Sequence, residues 1–257
     1  MKLHVLGSGS CIVSQERCSS GYLVESENDL VMVDSGAGTS DMLRRKGVVT
    51  DEIDAIINTH RHPDHISDLI PIIQDKVVRS FQKEESGIGL YGPDKHKDYL
   101  KSRIFYEMKE NSENFDSSFG FNLEIGNIEK VSSVSGFGID SFPADHGPKG
   151  FKCVSLKISR KEKRIFFTGD TDYFEDLAEN ASGADLIVAD CSKPDEKKVE
   201  GHMTPTECAK LAEEAGADVL LLSHLYPEAE DSNLIQPAEK VFKGEIEVAD
   251  DLMTLEI

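Results

Sequence analysis

The chain has 257 residues, 48 of them acidic and 28 basic, giving a formal charge of −20, and its five cysteines are scattered with no Cys-x-x-Cys pair. This length suits a single α/β domain, residues 1–257, with an ample core, and the cysteine usage argues against both a disulfide framework and a thiolate zinc site. A surface this acidic repels polyanions over about 8–10 Å at physiological salt, so nucleic acid is not the expected partner, although it stays open.

The chain begins with a strand near residues 2–6. Its apolar run, Met1 to Gly7, is too short for a signal peptide, and no segment has the length of a membrane span. The expectation is a cytoplasmic protein without a membrane contact. Further strands are expected near 21–26, 30–34 and 54–58, and the last of these runs into Asn58-Thr59-His60-Arg61-His62-Pro63-Asp64-His65. Four metal-competent side chains within six residues, at a strand-to-loop junction, are what a two-metal hydrolytic site requires. Alternate residues of an extended segment share a side, so His60 and His62 can close on one ion. Pro63 discourages further strand pairing, and a helical turn there would offset Asp64 and His65 toward a second ion.

A helix is predicted from about Ser67 to Ser80. A second helical stretch near 94–110 is polar and ends in Asn111-Ser112-Glu113-Asn114, reading as an exposed connector rather than a core element. Short strands are expected through 121–142, 151–158 and 164–168. The last third alternates strand and helix over Ala184–Ala189, Thr204–Ala215 and Asp218–Ser223. Two sheets packed face to face with helices outside, an αββα sandwich of the α/β class, fit this order.

Three more candidate ligands follow apolar strands. His146 lies in the turn-rich Phe142–Gly147, Asp170 follows Arg164–Gly169, and His224 closes Val219–His224. Ligands at the carboxyl ends of separate strands suggest one shared rim. His202 stands just before a strong helix start, in which Thr204 can cap, Pro205 takes the first helical position and Glu207 brings early acid. The Lys-rich stretches Arg160–Arg164 and Lys193–Lys198 are short and interrupted by acid, so neither forms a basic stripe for nucleic acid.

These residues resemble the metallo-β-lactamase fold superfamily, and within it the ribonuclease Z-like branch. The likeness runs through Gly7-Ser8-Gly9-Ser10, Cys18–Val24, Val33-Asp34-Ser35-Gly36-Ala37-Gly38, the histidine cluster, Gly169-Asp170-Thr171 and His202-Met203-Thr204. The resemblance implies that His60, His62 and His146 hold one metal, that Asp64, His65 and His224 hold another, and that Asp170 bridges them. It also implies that Asp34 orients the cluster from behind, that Asp64 accepts a proton, and that His202 donates one to the leaving oxygen. Asp190 stands where that branch carries an acid partner for this histidine, typically Glu, and the shorter Asp puts the geometry of the pair in question.

The expected activity is a binuclear hydrolase, most simply a phosphodiesterase acting on a small or cyclic phosphodiester. Two divalent ions are expected, Zn²⁺ first, with Mn²⁺ or Fe²⁺ also compatible with imidazole and carboxylate ligands. Two other activities stay open: tRNA 3′-end cleavage of the ribonuclease Z type, and acyl hydrolysis by a lactonase or thioesterase. A non-catalytic metal-binding module is disfavoured because every expected ligand is present. The tRNA-gripping arm of ribonuclease Z usually lies between the residues matching His146 and Asp170, an interval of only 170 − 146 = 24 positions here. A homodimer is left open.

Overall fold

The computed structural model describes residues 1–81, 86–108 and 121–257. The first sheet is built from β1 (Lys2–Gly7), β2 (Gly21–Ser26), β3 (Asp29–Ser35), β4 (Ala55–Ile57), β5 (Ser86–Gly92) and β6 (Phe121–Asn127). The second contains β7 (Ser133–Val134), β8 (Phe137–Pro143), β9 (Val154–Arg160), β10 (Lys163–Phe167), β11 (Leu186–Asp190), β12 (Val219–Ser223) and β13 (Glu245–Val248). The chain then returns, as β14 (Thr254–Glu256), to pair antiparallel with β1 in the first sheet.

Both sheets are mixed. The first runs β14-β1-β2-β3-β4-β5-β6, antiparallel as far as β3 and parallel from β3 to β6. The second runs β13-β12-β11-β10-β9-β8-β7, parallel as far as β10 and antiparallel beyond it. Their inner faces share one apolar core, in which Val5, Val24, Val33 and Ile57 of the first sheet meet Leu156, Ile158, Phe167 and Leu221 of the second. The Tyr22 hydroxyl crosses this core to the Ser223 hydroxyl at 2.7 Å.

Helices cover the outer faces. On the first sheet lie α1 (Thr39–Lys46), the single turn α2 (Pro63–Ile66), α3 (Leu69–Ser80) and α4 (His96–Met108). Leu43, Leu69, Ile72, Ile73 and Leu100 from these helices pack with Leu23, Met32, Ile56 and Leu90. The second sheet is covered by α5 (Leu177–Ala181), α6 (Pro205–Ala215), α7 (Pro227–Glu230) and α8 (Ile235–Glu239), with an Ala-rich contact against Phe166, Ile187 and Leu222. The expected αββα sandwich is what forms. Among the described residues, no helix is long and apolar enough to cross a membrane.

Several boundaries differ from the sequence expectation. The helix predicted from Ser67 begins at Leu69, and a separate turn, α2, precedes it because Pro63 starts a helix directly after His62. Strand β5 is not anticipated, since Gly87, Gly89 and Gly92 read as turn residues. The glycines have a packing reason. The ring of Tyr91 lies so close that a Cβ on Gly89 or on Gly126 would come within 2.6 Å of it. The stretch through 121–142 divides into β6, β7 and β8, and β13 and β14 are too short to stand out.

The stretch near 94–110 is a core element at its start, not an exposed connector: His96 and Leu100, one turn apart, are both fully buried against the first sheet. The predicted end at Asn111–Asn114 lies outside the described residues. The His96 ring lies against Gly92, where a Cβ would approach within 2.2 Å, and neither ring nitrogen has a hydrogen-bond partner. Burial, aided by the charge of Arg61, pushes its pKa down from 6.5 to about 4.

A histidine held neutral in the folded state protonates first in the unfolded state. Its stabilising contribution is therefore complete above pH 6.5 and is lost progressively as pH falls toward about 4, a change of about 3 kcal/mol for a shift of this size. His96→Phe keeps a ring and removes the titration. The variant should lose less stability than the parent between pH 6.5 and 4 in urea unfolding, and parallel pH curves for the two proteins would refute this account of His96.

Candidate metal centre

Each candidate ligand sits where a strand end releases the chain. His60 and His62 lie on the loop between β4 and α2, Asp64 and His65 on the turn α2, His146 three residues after β8, Asp170 three after β10, and His224 directly after β12. The structure brings all seven together. Ligand atoms of His60, His62, His146 and Asp170 lie within 4.8 Å of one another, and so do those of Asp64, His65, Asp170 and His224.

In the first group, His62 Nδ1 is 3.0 Å from His60 Nε2 and 3.1 Å from His146 Nε2. In the second, Asp64 Oδ2 is 3.3 Å from His224 Nε2 and 3.5 Å from His65 Nε2. Asp170 belongs to both and divides its oxygens between them. Its Oδ2 faces His60 Nε2 at 3.6 Å, while its Oδ1 faces His65 Nε2 at 3.2 Å and His224 Nε2 at 3.5 Å.

Behind the facing atoms, the remaining ring nitrogens are anchored. His65 Nδ1 donates to Asp34 Oδ2 at 2.8 Å, and His146 Nδ1 donates to the Gly201 carbonyl at 2.9 Å. His60 Nδ1 meets Thr59 Oγ1 at 3.0 Å, and His224 Nδ1 meets Ser192 Oγ at 3.0 Å. In each of these four histidines a fixed Nδ1 leaves Nε2 aimed inward, the arrangement that presets tautomer and ring direction for metal binding. Asp34 also accepts hydrogen bonds from Thr59 N at 2.7 Å and Thr59 Oγ1 at 2.9 Å, which locks the start of the histidine loop. Asp34 and His224 both take left-handed backbone, φ 57° each. Asp and His tolerate that region better than most residues, yet it still costs of order 1 kcal/mol.

Three ionised carboxylates share this buried pocket: Asp64, Asp170 and Asp190. Burial alone would raise the Asp170 pKa, but the charges of His224, His65 and His60 outweigh it and hold the carboxyl well below the usual range. Burial likewise opposes protonation of His65, and the carboxylates of Asp170 and Asp34 overcome it, raising that imidazole well above its ordinary value. His60 goes the other way, lowered by burial and by the neighbouring histidines. The pocket demands positive charge.

The donor set fits divalent cations. His65 Nε2 is buried without a properly directed hydrogen bond, and three imidazole nitrogens converge, His62 Nδ1 standing 3.0–3.1 Å from His60 Nε2 and His146 Nε2. Two donors on one ion, each about 2.0–2.2 Å from it, stand roughly 3–3.5 Å apart. Imidazole and carboxylate without thiolate suit zinc, manganese or iron. The buried Cys153 donates its thiol to the Asp170 carbonyl at 3.2 Å, and its burial raises the thiol pKa.

His202 sits at the rim, its ring 4.8 Å from that of His146 and stacked 5.5 Å from that of His224. Asp190, although shorter than Glu, reaches it, with His202 Nδ1 at 2.8 Å from Asp190 Oδ2. The same carboxylate accepts a hydrogen bond from Ser192 Oγ at 2.6 Å and stands 3.2 Å from His224 Nδ1. Burial would lower the His202 pKa, but the Asp190 charge and hydrogen bond raise it. Sequence reasoning missed Ser192 and Thr59. Their only signal is position, two residues after Asp190 and directly before His60.

Asp34→Ala would strip the acceptor from His65 Nδ1 and Thr59 N. The variant should stay folded by circular dichroism and lose roughly 10–100-fold in affinity for zinc, as is usual when an outer partner of a ligating histidine is removed. Competition with a chromophoric chelator measures this, and unchanged affinity would show that Asp34 does not orient the site.

The sequence pattern described as the beta-lactamase superfamily domain matches residues 30–225. Across 252 residues the chain is 27% identical to "Probable metallo-hydrolase YhfI" of Bacillus subtilis (strain 168), covering 97% of both chains. It is 25% identical over 275 residues to a ribonuclease Z of Methanopyrus kandleri, covering 98% of this chain and 96% of that one. The crystal structure of YhfI, a metallo-β-lactamase fold protein, superposes with a TM-score of 0.83 over 100% of this chain and 99% of that one, at 25% identity. With that match spanning most of the chain, and with two histidine–aspartate clusters on the rim of a double-sheet fold, the chain belongs to the metallo-β-lactamase fold superfamily, as a metal-dependent hydrolase of its ribonuclease Z-like branch.

Proposed function

We propose that this hydrolase is a binuclear phosphodiesterase acting on small or cyclic phosphodiesters, with residues 1–257 forming one functional domain. In this reading His60, His62 and His146 hold one ion, Asp64, His65 and His224 hold the other, and Asp170 lies between them. Bound divalent ions, zinc first, would supply Lewis acidity and bring the pKa of a water molecule toward neutrality.

The observation that carries the proposal is the His202–Asp190 pair. A buried imidazole with its Nδ1 fixed at 2.8 Å from a carboxylate, at the rim of the clusters, is a proton donor held in one tautomer. Hydrolysis of a phosphodiester expels a poor alkoxide leaving group, which needs such an acid. Asp190 stabilises the protonated imidazole, and Ser192 keeps the carboxylate in place. Asp64 is the proposed acceptor for the proton that the attacking nucleophile gives up, since its Oδ2 stands among the ligand atoms of the second group.

The second sheet favours a small substrate. The interval between His146 and Asp170 contains a short loop and the strands β9 and β10, joined by the two-residue turn Lys161-Glu162. It holds no arm for tRNA. The charge of −20 also disfavours a long polyanion. Cleavage at the tRNA 3′ end is the second reading, supported by end-to-end similarity to a protein named ribonuclease Z.

His202→Ala should reduce turnover of an alkyl phosphodiester by roughly 10²–10⁴-fold, the range for loss of a general acid, and much less for a nitrophenyl ester, whose leaving group needs no proton. Metal content should not change. Equal losses on both esters would sink the acid role, and insensitivity on a lactone or thioester that the protein hydrolyses better would favour acyl chemistry. As purified, the protein should carry about two zinc-class ions. Elemental analysis showing well under one, with activity indifferent to chelators, would overturn the metal assignment, and efficient pre-tRNA cleavage at physiological salt would put the second reading first.

A further inference from the structure

Several basic side chains of this acidic protein are tied to carboxylates: Arg44 and Arg45 to Asp41, Arg79 to Asp75, Arg160 to Asp29, Lys198 to Asp172. Arg61, in the middle of the metal loop, differs from these. Among the described residues it has no carboxylate partner, and its Nε is buried without a hydrogen bond. Its guanidinium carbon lies 5.9 Å from the centre of the Phe151 ring, and that ring stacks on His62 at 4.6 Å and 20°. From the β5–α4 side Arg61 faces His96, which is neutral. The loop that carries Phe151 adds Lys149 and Lys152, both exposed and likewise without an acid partner among the described residues. Gly147, at φ 79°, lets the loop fold onto the site, because a Cβ there would meet the Phe151 ring at 2.7 Å.

A buried, unsatisfied donor on a permanent cation is costly unless something supplies the acceptor. Among the described residues no protein group does so. The planar guanidinium fork matches a phosphate better than a lysine would, and Phe151 holds it one aromatic ring away from a ligand of the first cluster.

We infer that Arg61 is a specificity residue that binds a second phosphate of the substrate, so that the preferred phosphodiester carries an additional terminal phosphate on the His62 side. This rests on the phosphodiesterase reading for the reacting group, but the recognition itself is a binding property. Because the second phosphate is remote from the bond that breaks, its contact is the same in ground and transition states and acts on KM rather than kcat.

The test uses the metal-loaded full chain and two substrates, the p-nitrophenyl ester of thymidine 5′-phosphate with and without a 3′-phosphate. The parent should favour the 3′-phosphorylated ester by about 10-fold or more, through KM, as a charge-assisted bidentate contact allows. Arg61→Gln should bring that ratio close to one with its metal content retained, and Arg61→Lys should keep an intermediate ratio. Calorimetry with thymidine 3′,5′-bisphosphate and thymidine 5′-phosphate reads the same preference without turnover. A parent that binds both nucleotides equally, or an Arg61→Gln protein that keeps the parental ratio, overturns the assignment. If the binding preference appears and depends on Arg61 while neither ester is hydrolysed, Arg61 stands and the phosphodiesterase reading falls. Should Arg61→Gln not fold, a parental ratio in Arg61→Lys refutes the bidentate contact and a reduced one supports it.

Discussion

The structure depends on the placement of negative charge between two sheets. Asp64, Asp170 and Asp190 are all buried, in a protein already carrying a formal −20. Ionised groups out of water need partners, since removing one charge of a buried set leaves the others uncompensated. These carboxylates hold the His65 and His224 imidazoles well above their ordinary pKa. Divalent cations would be stronger partners, because each brings two charges and satisfies several lone pairs at once. Asp170 is the centre of this arrangement, as its two oxygens face different histidine groups.

Rigidity follows from the outer contacts rather than from the ligands. Asp34 at the end of β3 ties the Thr59 backbone and His65 together, while Asp190 at the end of β11 ties His202, His224 and Ser192. One carboxylate from each sheet thus braces its half of the site. The two halves are joined by backbone as well, since Val154 N donates to the Thr59 carbonyl at 3.1 Å. The loops that carry ligands are irregular, but their polar groups are engaged, so the donors can be positioned without the loops being part of a strand or helix.

The rim then separates chemistry from recognition. His202 approaches from the second sheet, beside His146 and His224, and is braced by an acid. Arg61 approaches from the first sheet, beside His62, and lies against the Phe151 ring. Among the described residues this cation has no acid partner, and in a protein that otherwise repels anions a local reversal of sign matters for which anion can dock.

Local chemistry is what the sequence determined by itself. His60-Arg61-His62-Pro63-Asp64-His65 announces ligands because donors of the right type crowd a strand end, and the apolar runs before Asp170 and His224 announce buried strands because their burial pattern is continuous. The layered fold follows from the order of those runs. Strand β5 was illegible because its glycines are explained only by Tyr91, whose ring lies across both Gly89 and Gly126 of the neighbouring β6, and His96 looked like part of an exposed helix because a single buried turn hardly alters a polar pattern. Only the tertiary structure decided which nitrogen of each histidine faces inward, that Asp170 divides its oxygens, that Ser192 links two histidines, and that Arg61 lies against Phe151. These depend on contacts such as Asp64 with His224, 160 positions apart. Periodicity and motif describe neighbours along the chain, whereas the distance between two sheet rims is set by how their inner faces pack.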